Sequence, residues 1–368
     1  MKKLPLIITA AAFCLNAGAQ EMKIPVNQPY FAFDAAIMTD FDNREYDRTD
    51  LDYSRTLFGA GLEVAVGAGY KTDRFHHRVV AGATTLFEFG GDFKAKPVVY
   101  YQVATRLKKS KFTMDAGIFP RTRSKACYSG AFYSASQRFY RSTYSGFLFN
   151  WTGRNFYHEF GVDWMGQLRS ASPATREEFI VFTGGHHRFL PGVKLGYSAY
   201  MHHYACNAAG TATNVVDDIL LNPYLDIDFG HNVGMQNLLA RLGYLQAAQR
   251  DRAAEGGLKL PAKGEFLFEA RNWNVGLVND LFFGADLMPL FNAPCPEGGN
   301  YGTKLYNGEL FMRNALGRSF GFYDRVSVYY EPLIVRNLNL RLQIDCHFND
   351  AGFAGWQQVI MVTYYIGR

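Results

Sequence analysis

Polar side chains, including charged ones of both signs, recur at every second position in several segments, where they alternate with apolar residues. In residues 338–348, for example, Leu340 and Ile344 alternate with Arg341 and Asp345. Adjacent side chains of a strand point to opposite faces, so each segment has one apolar and one charged face. A charged face that lines an enclosed space can select among ions and polar solutes. The candidates are Glu63, Arg106, Asp115, Glu159, Asp163, Lys194, Arg241, Arg271, Arg325, Arg341 and Asp345. Alternatively, they pair with one another and stiffen the wall.

Patterns typical of catalysis or metal binding are weak. Three His-His pairs begin at His76, His186 and His202, but adjacent residues of a strand face opposite sides, so the two members of a pair do not chelate together. The sequence has no His-x-Ser and no Asp-His pair. We therefore predict that the chain is not an enzyme and holds no metal or cofactor, while noting that a catalytic base can come from a separate strand.

Four cysteines outside the first twenty residues are too far apart in sequence for a metal site of the Cys-x-x-Cys type. One disulfide is possible in an exported protein. Its candidates lie in predicted loops and are Cys127, Cys206 and Cys295.

The alternating segments are the elements that must position the charged face. Several run for about 10 to 15 residues, longer than a usual soluble strand and matched to a tilted membrane-spanning strand. Short and long connections follow each other, as in outer-membrane barrels. The predicted strands number sixteen, with fourteen as the alternative, and cover residues 30–39, 56–70, 75–89, 97–107, 111–119, 144–152, 156–167, 177–186, 191–203, 222–230, 235–246, 263–272, 275–284, 322–332, 337–347 and 356–367.

Composition supports a closed transmembrane sheet. Of the 368 residues, 48% are apolar, 16% aromatic and 19% charged, which excludes a disordered chain. No apolar stretch reaches the roughly 18 residues that a membrane helix needs. A closed barrel leaves no free strand edge in lipid. Aromatic residues near predicted strand ends, such as Tyr70, Trp164 and Tyr364, suit the interfacial girdles of such a barrel.

The first nineteen residues are typical of a signal peptide, because two lysines precede a short apolar stretch and the small residues Ala17 and Ala19. We predict cleavage before Gln20, a periplasmic segment over residues 20–29 and one barrel domain over residues 30–368. Removal of Lys2 and Lys3 lowers the formal net charge from +5 to +3, which gives no indication of nucleic-acid binding. The predicted fold is therefore an all-β, antiparallel, up-and-down transmembrane β-barrel.

The chain resembles the porin-like outer-membrane β-barrels of Bacteroidota-type bacteria. The resemblance rests on the signal ending at residues 17–20, on Gly-Ile-Phe-Pro-Arg at residues 117–121, and on a last strand that runs from Gly355-Trp356 to Tyr364-Tyr365-Ile366. It implies insertion by the outer-membrane assembly machinery, which recognises an aromatic-rich last strand. The chain ends in Ile366-Gly367-Arg368 instead of a terminal Phe, so Tyr364 or Tyr365 would be the recognised aromatic residue.

The width of the predicted barrel indicates a function, because about sixteen strands enclose an aqueous lumen. We expect a channel for passive or facilitated diffusion of small hydrophilic solutes across the outer membrane. The alternatives are a non-conducting barrel with a surface-binding or structural role and, less favoured, a barrel lipase or protease. Residues 120–143 contain no acid and form either a basic constriction or a loop that contacts lipopolysaccharide phosphates. Their basic residues are Arg121, Arg123, Lys125, Arg138 and Arg141.

Overall fold

The computed structural model describes residues 24–46, 54–167, 176–207, 212–254, 257–314, 318–335 and 337–366. The predicted signal peptide lies outside these residues, as does most of the predicted segment 20–29. In the described part, the alternating segments form long strands, because each strand then turns one set of side chains inward and the other outward.

Within the described residues there are seventeen strands, all joined in one antiparallel sheet. They are β1 (Pro29–Tyr46), β2 (Arg55–Lys71), β3 (Phe75–Glu88), β4 (Phe93–Arg106), β5 (Ser110–Pro120), β6 (Thr143–Gly153), β7 (Phe156–Gly166), β8 (Glu177–Leu190), β9 (Val193–Asn207), β10 (Ala212–Asp228), β11 (Asn237–Asp251), β12 (Ala262–Asn272), β13 (Val275–Gly284), β14 (Gly321–Tyr330), β15 (Leu333–Val335), β16 (Leu338–Asn349) and β17 (Gly352–Ile366).

The first strand closes the sheet into a barrel. Ala35 of β1 pairs with Val64 of β2 on one side and with Ile366 of β17 on the other. The three-residue β15 lies only beside β16, and β14 pairs directly with β16, so sixteen long strands form the wall. The predicted all-β antiparallel barrel of about sixteen strands is confirmed.

The two faces of the wall differ as the alternation predicts. On β2 the side chains of Val64 and Val66 are exposed on the outside of the barrel. Glu63 of the same strand faces inward and is only 2% exposed. The same contrast separates exposed Ile344 from buried Asp345 on β16. The apolar set therefore faces outward and the polar set inward, which is the arrangement of a barrel in lipid.

The long connections after β5 and β13 lie at one end of the barrel, here called the long-loop end, and the opposite end is called the short-turn end. The helices are short: α1 (Ala135–Tyr140), α2 (Gly230–Val233) and α3 (Gly302–Leu305). Two 3-10 turns, Arg121–Arg123 and Leu310–Met312, complete the helical structure of the described residues. None of these helices is long and apolar enough to span a membrane.

Two connections from the long-loop end fold into the barrel. The first lumen segment (residues 121–142) follows β5, and the second lumen segment (residues 285–314) follows β13. Phe132 of the first and Phe311 of the second are buried against inward-facing wall residues in one apolar cluster. The lumen is therefore partly filled, because both segments carry aromatic and aliphatic residues that water would solvate poorly.

The two lumen segments also contact each other directly. Ser134 N donates to Asn307 O at 2.8 Å, and Glu309 N donates to Gly130 O at 2.9 Å. A Cβ atom at Gly308 would lie 2.3 Å from Ala131 O, so this approach requires glycine. The pair forms one inner body that lies against the wall.

Candidate functional site

All eleven predicted lining residues occupy inward-facing positions of the wall. Most are engaged with protein groups: Arg241 Nε lies 2.7 Å from Asp226 Oδ1, and Arg325 Nη2 lies 3.0 Å from Asp280 Oδ2. The contacts agree with wall-stiffening pairs, while a role in solute selection stays a prediction. The eleven are Glu63, Arg106, Asp115, Glu159, Asp163, Lys194, Arg241, Arg271, Arg325, Arg341 and Asp345.

Arg121 and Arg123 of the first lumen segment contact inward-facing residues of the wall. Arg121 forms an ion pair with Asp163, and Arg123 donates to Tyr100 Oη at 2.7 Å. The backbone N–H of Lys125 donates to Glu159 Oε2 at 2.8 Å. The Arg138 side chain lies outside the described residues. Whether these residues form a constriction or contact lipopolysaccharide stays a prediction.

A rim cavity of about 480 Å³ lies at the long-loop end, between the start of β2, the β3–β4 turn and the two lumen segments. Its outer edge carries Leu57, Phe58 and Phe89, of which Phe58 and Phe89 are exposed on the lipid-facing side with their ring centroids 4.3 Å apart. Its inner wall is polar and is formed by Arg55, Thr56, Glu88, Ser134, Ser136, Gln137, Tyr140, Arg141, Thr303, Tyr306 and Asn307, with Gly90, Gly91, Gly308 and Leu310 completing the lining.

Helix α1 places the polar groups of this cavity. Ser134 is its N-cap, and the Ser134 hydroxyl accepts a hydrogen bond from Gln137 N at 3.2 Å. This satisfies one of the N–H groups that a helix start leaves unpaired. The Ser134-x-x-Gln137 spacing is a capping-box pattern, so a sequence signal for this helix was present and was missed.

Arg141 is one of two arginines that line the rim cavity. Its Nη1 lies 3.4 Å from Asn307 Oδ1 and 3.4 Å from Met165 Sδ, and no described carboxylate lies within 4 Å of its guanidinium. Burial and the nearby Arg121 lower the pKa of Arg141. Lys96 on β4 adds a further positive charge close by. The inner wall of the rim cavity is therefore suited to an anionic group.

A second, enclosed cavity of about 160 Å³ lies deeper in the barrel. It shares the side chain of Gln137 with the rim cavity. The Gln137 Nε2 donates to Asn307 Oδ1, whereas the buried Oε1 has no hydrogen-bond partner among the described residues. The lining contains Met38, Glu63, Pro120, Arg121, Thr122, Ser124, Ala126, Tyr128, Tyr133, Gln137, Ser142 and Tyr144.

The histidine pair at residues 202–203 and the cysteines do not form a metal site in the described residues. His202 faces inward to Leu305 O and Glu178, while His203 faces outward to Asp217, so the pair is divided between the two faces. Across the described residues no three His, Cys, Asp or Glu side chains gather as a metal site. Cys127 is a free thiol and takes no part in the disulfide that the sequence left possible, while the Cys206 side chain lies outside the described residues.

Comparison with solved structures finds outer-membrane barrels. The chain is similar to OmpT, an outer membrane protein of Vibrio cholerae, with 11% identity and a TM-score of 0.52 over 92% of this chain and 99% of that chain. It is also similar to OprD of Pseudomonas aeruginosa, with 11% identity and a TM-score of 0.47 over 95% and 98% of the two chains. Identities this low show a common fold and nothing about function.

Comparison with protein families gives a different kind of result. The family model described as "Lipid A 3'-O-deacylase-type" matches residues 27–222, more than half of the chain. The match spans β1 to most of β10 and includes the first lumen segment with α1. No curated protein matches the chain at a significant level.

The family match overturns one prediction from the sequence. We predicted that the chain is not an enzyme, and this is wrong, because the matching family is one of deacylases. The search for catalytic patterns was limited to residues close together in the chain. In this barrel, polar groups converge from β2, from α1 and from the second lumen segment, which lie far apart in sequence.

Proposed function

The chain belongs to the lipid A 3'-O-deacylase-type family, and from this premise we propose that it is an outer-membrane hydrolase. Its substrate would be a phosphorylated, acylated glycolipid of the lipid A class, from which it removes an ester-linked acyl chain. The observation that carries the proposal is the rim cavity, which has an apolar, lipid-facing edge and a polar, cationic inner wall.

The apolar edge is suited to a substrate that stays in the bilayer. Phe58 and Phe89 are 43% and 57% exposed and border the cavity from the outer surface of the wall. An acyl chain lying against these rings would remain among lipid tails while its head group turned inward over the rim. Such lateral entry avoids the cost of moving the whole lipid through water.

The polar wall is suited to the head group. Arg141 lines the cavity and has no carboxylate within 4 Å among the described residues, and a phosphate would supply negative charge through charge-assisted hydrogen bonds. Hydroxyl and amide groups of Ser136 and Asn307 can bond sugar hydroxyls nearby. The cavity therefore offers groups for each chemical part of the lipid.

The proposed location follows from the fold and the faces of the wall. The outward apolar face lies in the outer membrane, the long-loop end faces the cell exterior and the short-turn end faces the periplasm. The expected partners remain the outer-membrane lipid and lipopolysaccharide and the outer-membrane assembly machinery. Export by the predicted signal peptide belongs to the same proposal.

The test is release of fatty acid from purified lipid A by the refolded full chain in mixed micelles, followed by mass spectrometry. We expect loss of one acyl chain, and about tenfold weaker binding for Arg141→Gln, because a charge-assisted phosphate contact is lost. Dephosphorylated lipid A should bind the wild-type chain and Arg141→Gln equally.

The matched control is Arg252→Gln, since Arg252 pairs with Asp217 on the outside of the barrel, away from the cavity. This variant should behave like the wild-type chain. A folded wild-type chain that leaves lipid A intact would contradict the proposal.

The second candidate function is the predicted channel for small hydrophilic solutes. One observation favours it: around Arg271, Arg341 and Glu331 the inner wall stays open to water, with side chains 28% to 34% exposed. A solute would still have to pass the two lumen segments. Stepwise conductance of the refolded chain in planar bilayers, with solute release from liposomes, would support the channel, and a silent inserted barrel would oppose it.

A further inference from the structure

We infer that Glu63 is the general base of the proposed hydrolysis and that the Arg121 Nε–H stabilises the oxyanion that forms. The inference rests on the proposed function and assigns the chemistry to the enclosed cavity behind Gln137. The rim cavity alone is short of such groups, because no histidine lines it and its one carboxylate, Glu88, is paired with Lys94.

Glu63 has the surroundings that a buried base requires. It lies on the inner face of β2 between the small residues Ala36 of β1 and Thr84 of β3, which are its partners in the sheet. The residue is 2% exposed and lines a cavity of about 160 Å³, large enough for a water molecule and a carbonyl group. The aromatic rings of Tyr128, Tyr133 and Tyr144 line the same space.

Arg121 supplies a fixed donor on the same cavity. Its Nη2 forms the ion pair with Asp163, and its guanidinium carbon lies 4.2 Å from the centroid of the Tyr144 ring. These two contacts fix the plane of the guanidinium. Its Nε–H is buried and has no hydrogen-bond partner among the described residues. A preorganised donor with a free N–H is what an oxyanion requires.

Gln137 connects this chemistry to the lipid. Its side chain is shared by both cavities and is held by the hydrogen bond from Nε2 to Asn307 Oδ1. The unpaired Oε1 is a further acceptor. In this proposal, the Gln137 side chain moves aside when a lipid binds at the rim, and the ester of the lipid then reaches Glu63.

The reaction balances with water as the only co-reactant. Glu63 takes a proton from the water as its oxygen bonds to the ester carbonyl carbon, and the carbonyl oxygen becomes an oxyanion at the Arg121 Nε–H. The bond between this carbon and the sugar oxygen then breaks. The proton on Glu63 passes to the leaving sugar oxygen, which releases an alcohol and a fatty acid.

The experiment measures kcat for fatty-acid release and, separately, binding to lipid A vesicles. Glu63→Gln keeps the size of the side chain and removes the base, so we expect kcat to fall by about 10² to 10⁴-fold with binding changed by less than about twofold. Glu63→Asp should recover part of the rate. The control is Glu269→Gln, because Glu269 lies near the short-turn end and accepts from Tyr329 Oη at 2.7 Å.

The outcomes separate the inference from the function on which it rests. An active wild-type chain with a Glu63→Gln variant that keeps more than a tenth of its rate would overturn the inference alone. Loss of rate in Glu269→Gln as severe as in Glu63→Gln would also overturn it, because the effect would then come from the wall in general. A folded wild-type chain without any hydrolysis would overturn both.

Discussion

The two lumen segments are held in the same barrel by different balances of forces. The start of the first segment is fixed by polar contacts: Glu159 on β7 accepts from Ser124 Oγ at 2.5 Å, Lys125 N at 2.8 Å, Ala126 N at 3.1 Å and Tyr128 Oη at 2.8 Å. The second segment contributes more side chains to the apolar cluster than the first.

Three residues illustrate the apolar burial of the second segment. Tyr301 and Leu305 are 0% exposed and Phe311 is 1% exposed, and the Phe311 ring stacks on His347 with centroids 3.9 Å apart. The difference indicates a division of roles. Hydrophobic burial is non-directional and stabilises the folded segment, whereas hydrogen bonds and ion pairs fix the orientation of its side chains. Residues of the first segment line both cavities, and residues of the second segment line the rim cavity.

The largest effect is expected from Glu159→Ala, which removes the acceptor of four donors from the first segment. Because buried donors lose their partner, the free energy of unfolding should fall by about 3–5 kcal/mol. Urea unfolding in detergent micelles measures this, and trypsin should now cut after Arg123 and Lys125. If these sites stay protected, the first segment is not held through Glu159.

A smaller effect is expected from Leu305→Ala in the second segment. Truncation of this fully buried side chain leaves a cavity and should lower the free energy of unfolding by about 3 kcal/mol. The same urea experiment applies. Trypsin should leave Arg123 and Lys125 protected, because the Glu159 contacts persist. Equal cleavage in Leu305→Ala and Glu159→Ala would remove the distinction between the two segments.

The smallest effect is expected from Ser134→Ala, which removes the N-cap of α1. A lost cap costs about 1 kcal/mol, so hydrogen exchange at the Gln137 amide should become about fivefold faster. Ser198→Ala is the matched control, because the Ser198 hydroxyl is buried with no partner among the described residues. Unchanged exchange in Ser134→Ala would show that packing alone fixes α1.

Alternation predicted the barrel well because the period of a strand is local. The prediction of strand ends failed where acidic residues gave a segment the composition of a loop. We ended the first strand at residue 39, yet β1 continues to Tyr46, because Asp42 accepts from Arg44 Nε at 2.9 Å inside the barrel. Similarly, we began the tenth strand at residue 222, whereas β10 begins at Ala212, with Asp217 outside and Asp218 inside.

The candidate site was less accessible to sequence reasoning. Alternation assigns Glu63 to the polar face of its strand, but the sequence could not show that residues 121–142 fold inward and line the same cavity. Their inward fold depends on contacts between distant positions, such as Ser134 with Asn307. The enzymatic family became visible through the match over residues 27–222 and not through any short motif.

The most direct test is the mass spectrum of lipid A from cells that produce the full chain, compared with cells that produce Glu63→Gln at the same level in the outer membrane. Our account predicts a lipid A species that lacks one acyl chain with the wild-type chain and its absence with the variant. Identical spectra from wild-type, variant and empty-vector cells would contradict the account.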